Sequence, residues 1–177
     1  RARYIWERGT NRQDVLKGLV NKYSWVEIGG SFYPSELQAA FLFAQLENLR
    51  NNMESRKEIY EAYRSGLYSL RESQKIWFPD IPKDFQTNYH AFYIIFDTES
   101  ITDSVREFLL SNDAQAFIGY VPLHSSPVGL KMGNKVDSLP RTERVAKCVL
   151  RLPLHNNMSS EDANRVCSLI EMYFDDK

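Results

Sequence analysis

His90-Ala91-Phe92-Tyr93-Ile94-Ile95-Phe96 is the stretch on which the fold turns. Aromatic and β-branched side chains fill a strand-length run that stops at Asp97, the composition of a strand buried on at least one face. It contains a six-residue apolar run, Ala91 to Phe96, and no run of the chain approaches the roughly 20 residues needed to cross a bilayer. Downstream, Thr102 is expected to cap a short helix with an apolar stripe of Val105, Phe108 and Leu109, ended by Ser111-Asn112-Asp113. Ala116 to Leu123 reads as a second strand interrupted by Gly119, and His124 to Pro140 as a loop. Arg141 to Lys147 reads as a short helix, and Cys148 to Leu154 as a third strand with Arg151 pointing outward. Ser159, followed by Glu161 and Asp162, is expected to cap a last helix to Phe174, with Val166, Leu169, Ile170 and Tyr173 inward. A β-α-β order followed by α-β-α predicts an α/β class: a small sheet of about three strands covered by helices on one side.

Working upstream, a proline-bounded stretch runs from Trp77 through Pro79 and Pro82. Before it lies a helix opened by Ser35 and Gln38 in capping-box spacing, with Glu36 in its first turn. Leu37, Ala40, Phe41, Ala44, Leu49, Met53, Tyr60, Tyr63 and Leu67 recur at helical steps, and charged residues fill the opposite face. Unbroken to Arg64, this helix is long enough to connect two lobes. The segment from Gly9 to Pro34 is irregular, yet it carries Tyr23, Trp25, Phe32 and Tyr33. It reads either as a partly buried connector or as an active-site or subunit-contact loop. The chain opens Arg1-Ala2-Arg3-Tyr4-Ile5-Trp6 without methionine, which suggests part of a longer protein.

Composition excludes more than it selects. The 177 residues carry 22 basic and 23 acidic side chains, a net charge of −1. That balance gives no basic field for nucleic acid or an anionic membrane. Two cysteines without Cys-x-x-Cys spacing favour a reducing compartment. His90, His124 and His155 are too scattered for a metal site. A Gly-x-Ser-x-Gly elbow, a dinucleotide fingerprint and a P-loop are all lacking, so the sequence holds no complete active site. Two partial signals remain. Gly29-Gly30-Ser31 precedes a capped helix and suits either a phosphate contact or an ordinary turn. Gly119-Tyr120-Val121-Pro122-Leu123-His124-Ser125-Ser126-Pro127 leaves a strand with a phenol and an imidazole between prolines, as a substrate contact or a structural loop.

Ser35-Glu36-Leu37-Gln38-Ala39-Ala40 with Gln45-Leu46-Glu47, His90-Ala91-Phe92-Tyr93-Ile94, and Tyr120-Val121-Pro122-Leu123-His124 together resemble the C-terminal portion of the DegT/DnrJ/EryC1/StrS sugar aminotransferases. More narrowly, Glu7-Arg8-Gly9-Thr10-Asn11-Arg12, Lys22-Tyr23-Ser24-Trp25-Val26-Glu27-Ile28-Gly29 and Leu150-Arg151-Leu152-Pro153-Leu154 resemble the subgroup acting on dTDP-4-keto-6-deoxy-glucose. Its product, dTDP-4-amino-4,6-dideoxygalactose, serves surface polysaccharides such as enterobacterial common antigen.

The resemblance implies the C-terminal small domain of a fold type I pyridoxal 5′-phosphate enzyme, active in the cytoplasm as a homodimer with shared sites. Residues 1–34 would end the large domain and form the subunit-contact loop, 35–67 the connecting helix and 68–177 the small domain. Amino transfer would run from glutamate to the 4-keto group of a nucleotide-linked deoxysugar, with the cofactor as electron sink. The Schiff-base lysine is expected upstream, leaving no catalytic residue in this fragment and no activity when it stands alone. Ser31 takes the position of a phosphate-contacting asparagine, beside Gly30, and Tyr33 that of a common arginine. Tyr120 and His124 match positions near the substrate. Arg12, whose guanidinium suits a diphosphate, is a further substrate candidate with Asn11, Asn88 and His90. The alternatives are a non-catalytic binding or assembly module that kept this fold, and a cofactor-dependent sugar dehydratase with histidine in place of the lysine.

Overall fold

The computed structural model describes residues 1–175, which form two compact units, Arg1–Leu49 and Arg50 onward. Among the described residues, no helix is long and apolar enough to cross a membrane.

The first unit holds three helices, α1 (Ala2–Trp6), α2 (Arg12–Leu16) and α3 (Glu36–Glu47). Helix α2 and two isolated antiparallel bridges, Glu7 to Ser31 and Thr10 to Trp25, give order to the segment expected to be irregular. Its interior is polar: Glu7, Thr10, Asn11 and Asp14 are buried, and Asp14 accepts from both Arg3 and the Tyr4 hydroxyl. Helix α3 starts in the expected capping box, with Gln38 N–H donating to Ser35 Oγ and Ser35 N–H donating to Gln38 Oε1. None of its residues is buried, and Leu37 and Phe41 are 84% and 71% exposed. The apolar stripe expected here is not found: Leu37, Phe41, Leu42, Phe43 and Leu46 lie round the helix and are all exposed.

In the second unit, α4 (Leu49–Gly66) resumes the helical run, so Asn48 is the single non-helical residue between Ser35 and Arg64. Short α5 (Tyr68–Glu72) follows, then strand β1 (Phe92–Ile95), helix α6 (Glu99–Ser111) and strand β2 (Phe117–Ile118). Next come α7 (Pro127–Lys131), α8 (Pro140–Cys148), strand β3 (Val149–Leu152) and α9 (Ser160–Asp175). The sheet is antiparallel with β3 in the centre, pairing Tyr93 with Arg151 on one side and Phe117 with Arg151 on the other. Alternation sends Phe92, Ile94, Leu150 and Leu152 into a core with Tyr63, Leu67, Val105, Leu109 and Ile170. Tyr63 anchors α4 to the segment that follows β3 by donating its hydroxyl to Pro153 O at 2.8 Å. Burial raises the Tyr63 and Cys148 pKa values and pushes the Cys167 thiol up to about 12. Both cysteines are thus packing residues.

Three local expectations are corrected. Helix α6 is capped by Thr98, whose Oγ1 accepts from Ile101 N–H. Thr102 instead sits buried in the first turn, bonding back to Thr98 O at 3.0 Å, as threonine does inside helices. Strand β2 is two residues long and does not reach Leu123. A Cβ on Gly119 would stand 2.4 Å from Val149 Cγ1, and Pro122 has no N–H to give a ladder. The loop after His124 contains α7, with Ser126 as its cap and Pro127 in its first turn, and a 3-10 turn at Val136–Ser138.

Candidate active site

The sequence-derived candidates fall on two edges, one in each unit. In the first unit the backbone of residues 5–9 meets that of 27–30. A Cβ on Gly29 would lie 2.4 Å from Gly9 N, so only glycine allows the approach. Gly30 commits both backbone groups to this crossing: its N–H donates to Ile5 O at 2.9 Å and its carbonyl accepts from Arg8 N–H at 3.0 Å. The Ser31 hydroxyl next to it is exposed and accepts from Arg8 Nε at 3.5 Å. Arg8, held at φ +61°, is a residue that sequence reading passed over. The signal available was its place before Gly9, where a left-handed turn turns the side chain back toward the crossing strand. Tyr33 stacks on Trp6 at 4.6 Å.

Asn11 is buried, donating to Lys22 O at 3.0 Å and accepting from Ser24 N–H at 2.7 Å, so its amide closes the loop between them. Arg12 is exposed and reaches Glu7 Oε1 at 3.5 Å. Glu7 is buried, and its Oε2 has no hydrogen-bond partner among the described residues.

In the second unit Tyr120 is 85% exposed, and the Arg151 guanidinium stands 5.8 Å from its ring centroid. The His124 side chain is only 9% exposed; its Nε2 lies 3.2 Å from both Val136 O and Glu143 Oε1. A proton on Nε2 would be donated to the Val136 carbonyl. With the carbonyl taking the hydrogen bond, Glu143 Oε1 has no hydrogen-bond partner among the described residues and stands as an ionic neighbour. His124 thereby ties the 124–136 loop to α8.

Asn88 and His90 are exposed and bond to each other, with Asn88 Oδ1 2.7 Å from His90 Nδ1 and accepting from His90 N–H at 3.3 Å. Because Phe92 pairs with Leu152 while Ile118 pairs with Leu150, this turn and Tyr120 lie toward opposite ends of β3. The structure gathers Tyr120 and His124 on one loop and leaves Asn88 and His90 apart from it. His90 instead lines a cavity of about 620 Å³ with Phe117, Arg151 and His155.

The profile of the DegT/DnrJ/EryC1/StrS aminotransferase family matches residues 5–171. The chain belongs to that family. DegT/DnrJ/EryC1/StrS relatives include the dTDP-3-amino-3,4,6-trideoxy-alpha-D-glucose transaminase of Streptomyces venezuelae, 29% identical over 154 residues. That match covers 86% of this chain and 39% of the relative. The GDP-perosamine synthase of Vibrio cholerae is 25% identical over 92% of this chain and 43% of its own. The crystal structure of S. venezuelae DesV in complex with a ketimine intermediate superposes with a TM-score of 0.82 at 27% identity, covering 97% of this chain and 42% of DesV. The chain therefore spans about two-fifths of the length of the relatives it matches, and its small antiparallel sheet with flanking helices has the fold of the corresponding part of fold type I aminotransferases.

Proposed function

We propose that this chain is the C-terminal part of a nucleotide-sugar aminotransferase that moves an amino group from glutamate to the 4-keto group of a dTDP-4-keto-6-deoxy-glucose-class sugar. The observation that carries this reading is the family match over residues 5–171, with transaminases of nucleotide-linked sugars among the relatives. Residues 1–34 are the end of the large domain and a subunit-contact loop, 35–67 the connecting helix and 68–177 the small domain of a cytoplasmic homodimer. The product serves surface polysaccharide, in the manner of enterobacterial common antigen.

Enzymes of this family work with pyridoxal 5′-phosphate, which, when bound, supplies the electron sink that carries the amino group between donor and acceptor. The residues present fit its phosphate: the Ser31 hydroxyl and the Arg8 guanidinium converge on an exposed edge, one neutral donor and one fixed cation. Gly30 contributes closeness rather than its amide, which is already bonded to Ile5 O, and Tyr33 borders the site from its stack on Trp6. On the substrate side Tyr120 offers an exposed phenol, and His124 holds the loop that presents it. In the first unit Arg12 is the candidate for the nucleotide diphosphate, with Asn11 holding the loop behind it; in the second unit Asn88 and His90 are further substrate candidates. No lysine of this chain is given a covalent role.

The test is product analysis. The full-length protein incubated with pyridoxal 5′-phosphate, glutamate and dTDP-4-keto-6-deoxy-glucose is expected to yield the 4-amino sugar nucleotide and 2-oxoglutarate in equal amounts. A deoxygenated sugar would point to a dehydratase instead, and unchanged substrate to a binding or assembly module.

A further inference from the structure

Arg151 sits at the centre of the open sheet face, at the middle position of the cross-strand row Tyr93–Arg151–Phe117. The helices cover the opposite face, where Leu150 and Leu152 are buried. A guanidinium in such a row ordinarily finds an acid. This one has no ion pair or hydrogen bond among the described residues, although two acids, Asp113 and Asp162, share its cavity wall. Asp162 is already engaged, accepting from Ser159 N–H at 2.9 Å and from Ser159 Oγ at 3.0 Å. What holds Arg151 is aromatic: its guanidinium carbon lies 5.9 Å from the Phe117 centroid and 5.8 Å from that of Tyr120. Aromatic contacts fix the plane of a guanidinium without occupying its N–H donors. A half-buried cation with fixed orientation and unused donors, in the wall of a 620 Å³ cavity, is built to receive an oxyanion.

We propose that Arg151 is a substrate anchor that binds an oxyanion, either the carboxylate of the amino donor or the diphosphate of the nucleotide sugar, beside Tyr120. The inference rests on the aminotransferase reading above and adds to it a binding residue and the chemistry it takes. Its neighbour Tyr120 then acts twice, as a substrate contact and as the ring that orients the guanidinium.

Arg151→Gln and Arg151→Lys variants of the full-length protein, titrated calorimetrically with glutamate, thymidine diphosphate and uncharged thymidine, test the assignment. Charged hydrogen bonds of this kind set the expected loss at roughly 10- to 100-fold for Arg151→Gln, in the affinity for one of the two anions, with thymidine unaffected. Arg151→Lys keeps the charge, loses the planar fork and should fall between; it also serves should the glutamine variant fold poorly. A loss confined to glutamate identifies the carboxylate as the ligand, and a loss confined to thymidine diphosphate identifies the diphosphate. Affinities for both anions within twofold of the unsubstituted protein, in either folded variant, overturn the role of Arg151 alone. An unsubstituted protein that binds neither anion overturns the aminotransferase reading together with it.

Discussion

The two units of this chain are held together by opposite means. From Arg50 onward the interior is apolar, with Tyr63, Phe92, Leu150 and Ile170 almost wholly out of water. Before that boundary, among the described residues, the buried positions are Glu7, Gly9, Thr10, Asn11 and Asp14, and the large apolar side chains lie outside. Trp25, Ile28, Phe32, Leu37 and Phe41 are all exposed. A unit that keeps polar groups inside and rings outside is ordered by directional bonds, while its apolar surface is available for burial against other polypeptide. The second unit buries an apolar core of its own, although Phe85, Val121 and Leu123 remain exposed on it. The first carries the loop proposed to hold the cofactor phosphate, so the region with the more polar interior is also the one proposed to make contact.

The sharpest way to break this comparison is to remove one large side chain from each unit. Leu150→Ala in the central strand should cost about 3–5 kcal/mol in urea unfolding, whereas Phe41→Ala on α3 should fall within about 0.5 kcal/mol. Equal costs would mean that α3 is packed in solution. A smaller effect is expected from Asn11→Leu, which keeps the volume but leaves Lys22 O and Ser24 N–H without their partner. About 1–3 kcal/mol of local stability should be lost, read as faster tryptic cleavage at Lys22 with the midpoint of global unfolding unchanged. A shifted global midpoint would show that the two units unfold as one.

Much of the second unit is legible because local and tertiary signals agree there. The strand at Phe92–Ile95, the helix capped by Ser159 and the central strand with Arg151 outward all follow from alternation, capping chemistry and burial. The misreadings have local physical reasons. Thr102 has the residue type of a cap, but the helix begins four residues earlier, at Thr98, whose extended backbone and side chain close its first turn. Beyond Ile118, residue pattern suggests strand, but Gly119 packs on Val149 and Pro122 lacks a donor. On α3 the apolar residues lie all round the helix rather than in one stripe, and none is buried, so a reading by steps of three and four picks out a face that the composition does not distinguish. Among the proposed site residues, exposed Ser31 and Tyr120 lie in motifs that the sequence displays. The roles proposed for Arg8 and Arg151 depend in addition on a left-handed turn and on strand register.

The smallest expected effect concerns acid. Backbone and side-chain hydrogen bonds from Ser159 hold the Asp162 carboxyl below its ordinary range, so its folded-state pKa lies under its unfolded one. Its contribution to the cap of α9 is complete above the usual aspartate pKa of about 4 and is lost as pH falls through the lower, folded value. Asp162→Asn should flatten the acid limb of the stability profile below that range and leave the slope near neutrality unchanged.

Hydrogen exchange on the full-length protein tests the central claim most directly, that an uncovered contact edge is joined to a self-contained scaffold. With pyridoxal 5′-phosphate and the nucleotide sugar added, slower exchange is predicted in peptides spanning residues 28–33 and 117–124, and none in those of α9. Protection confined to α9, or absent from both edges, would contradict the account.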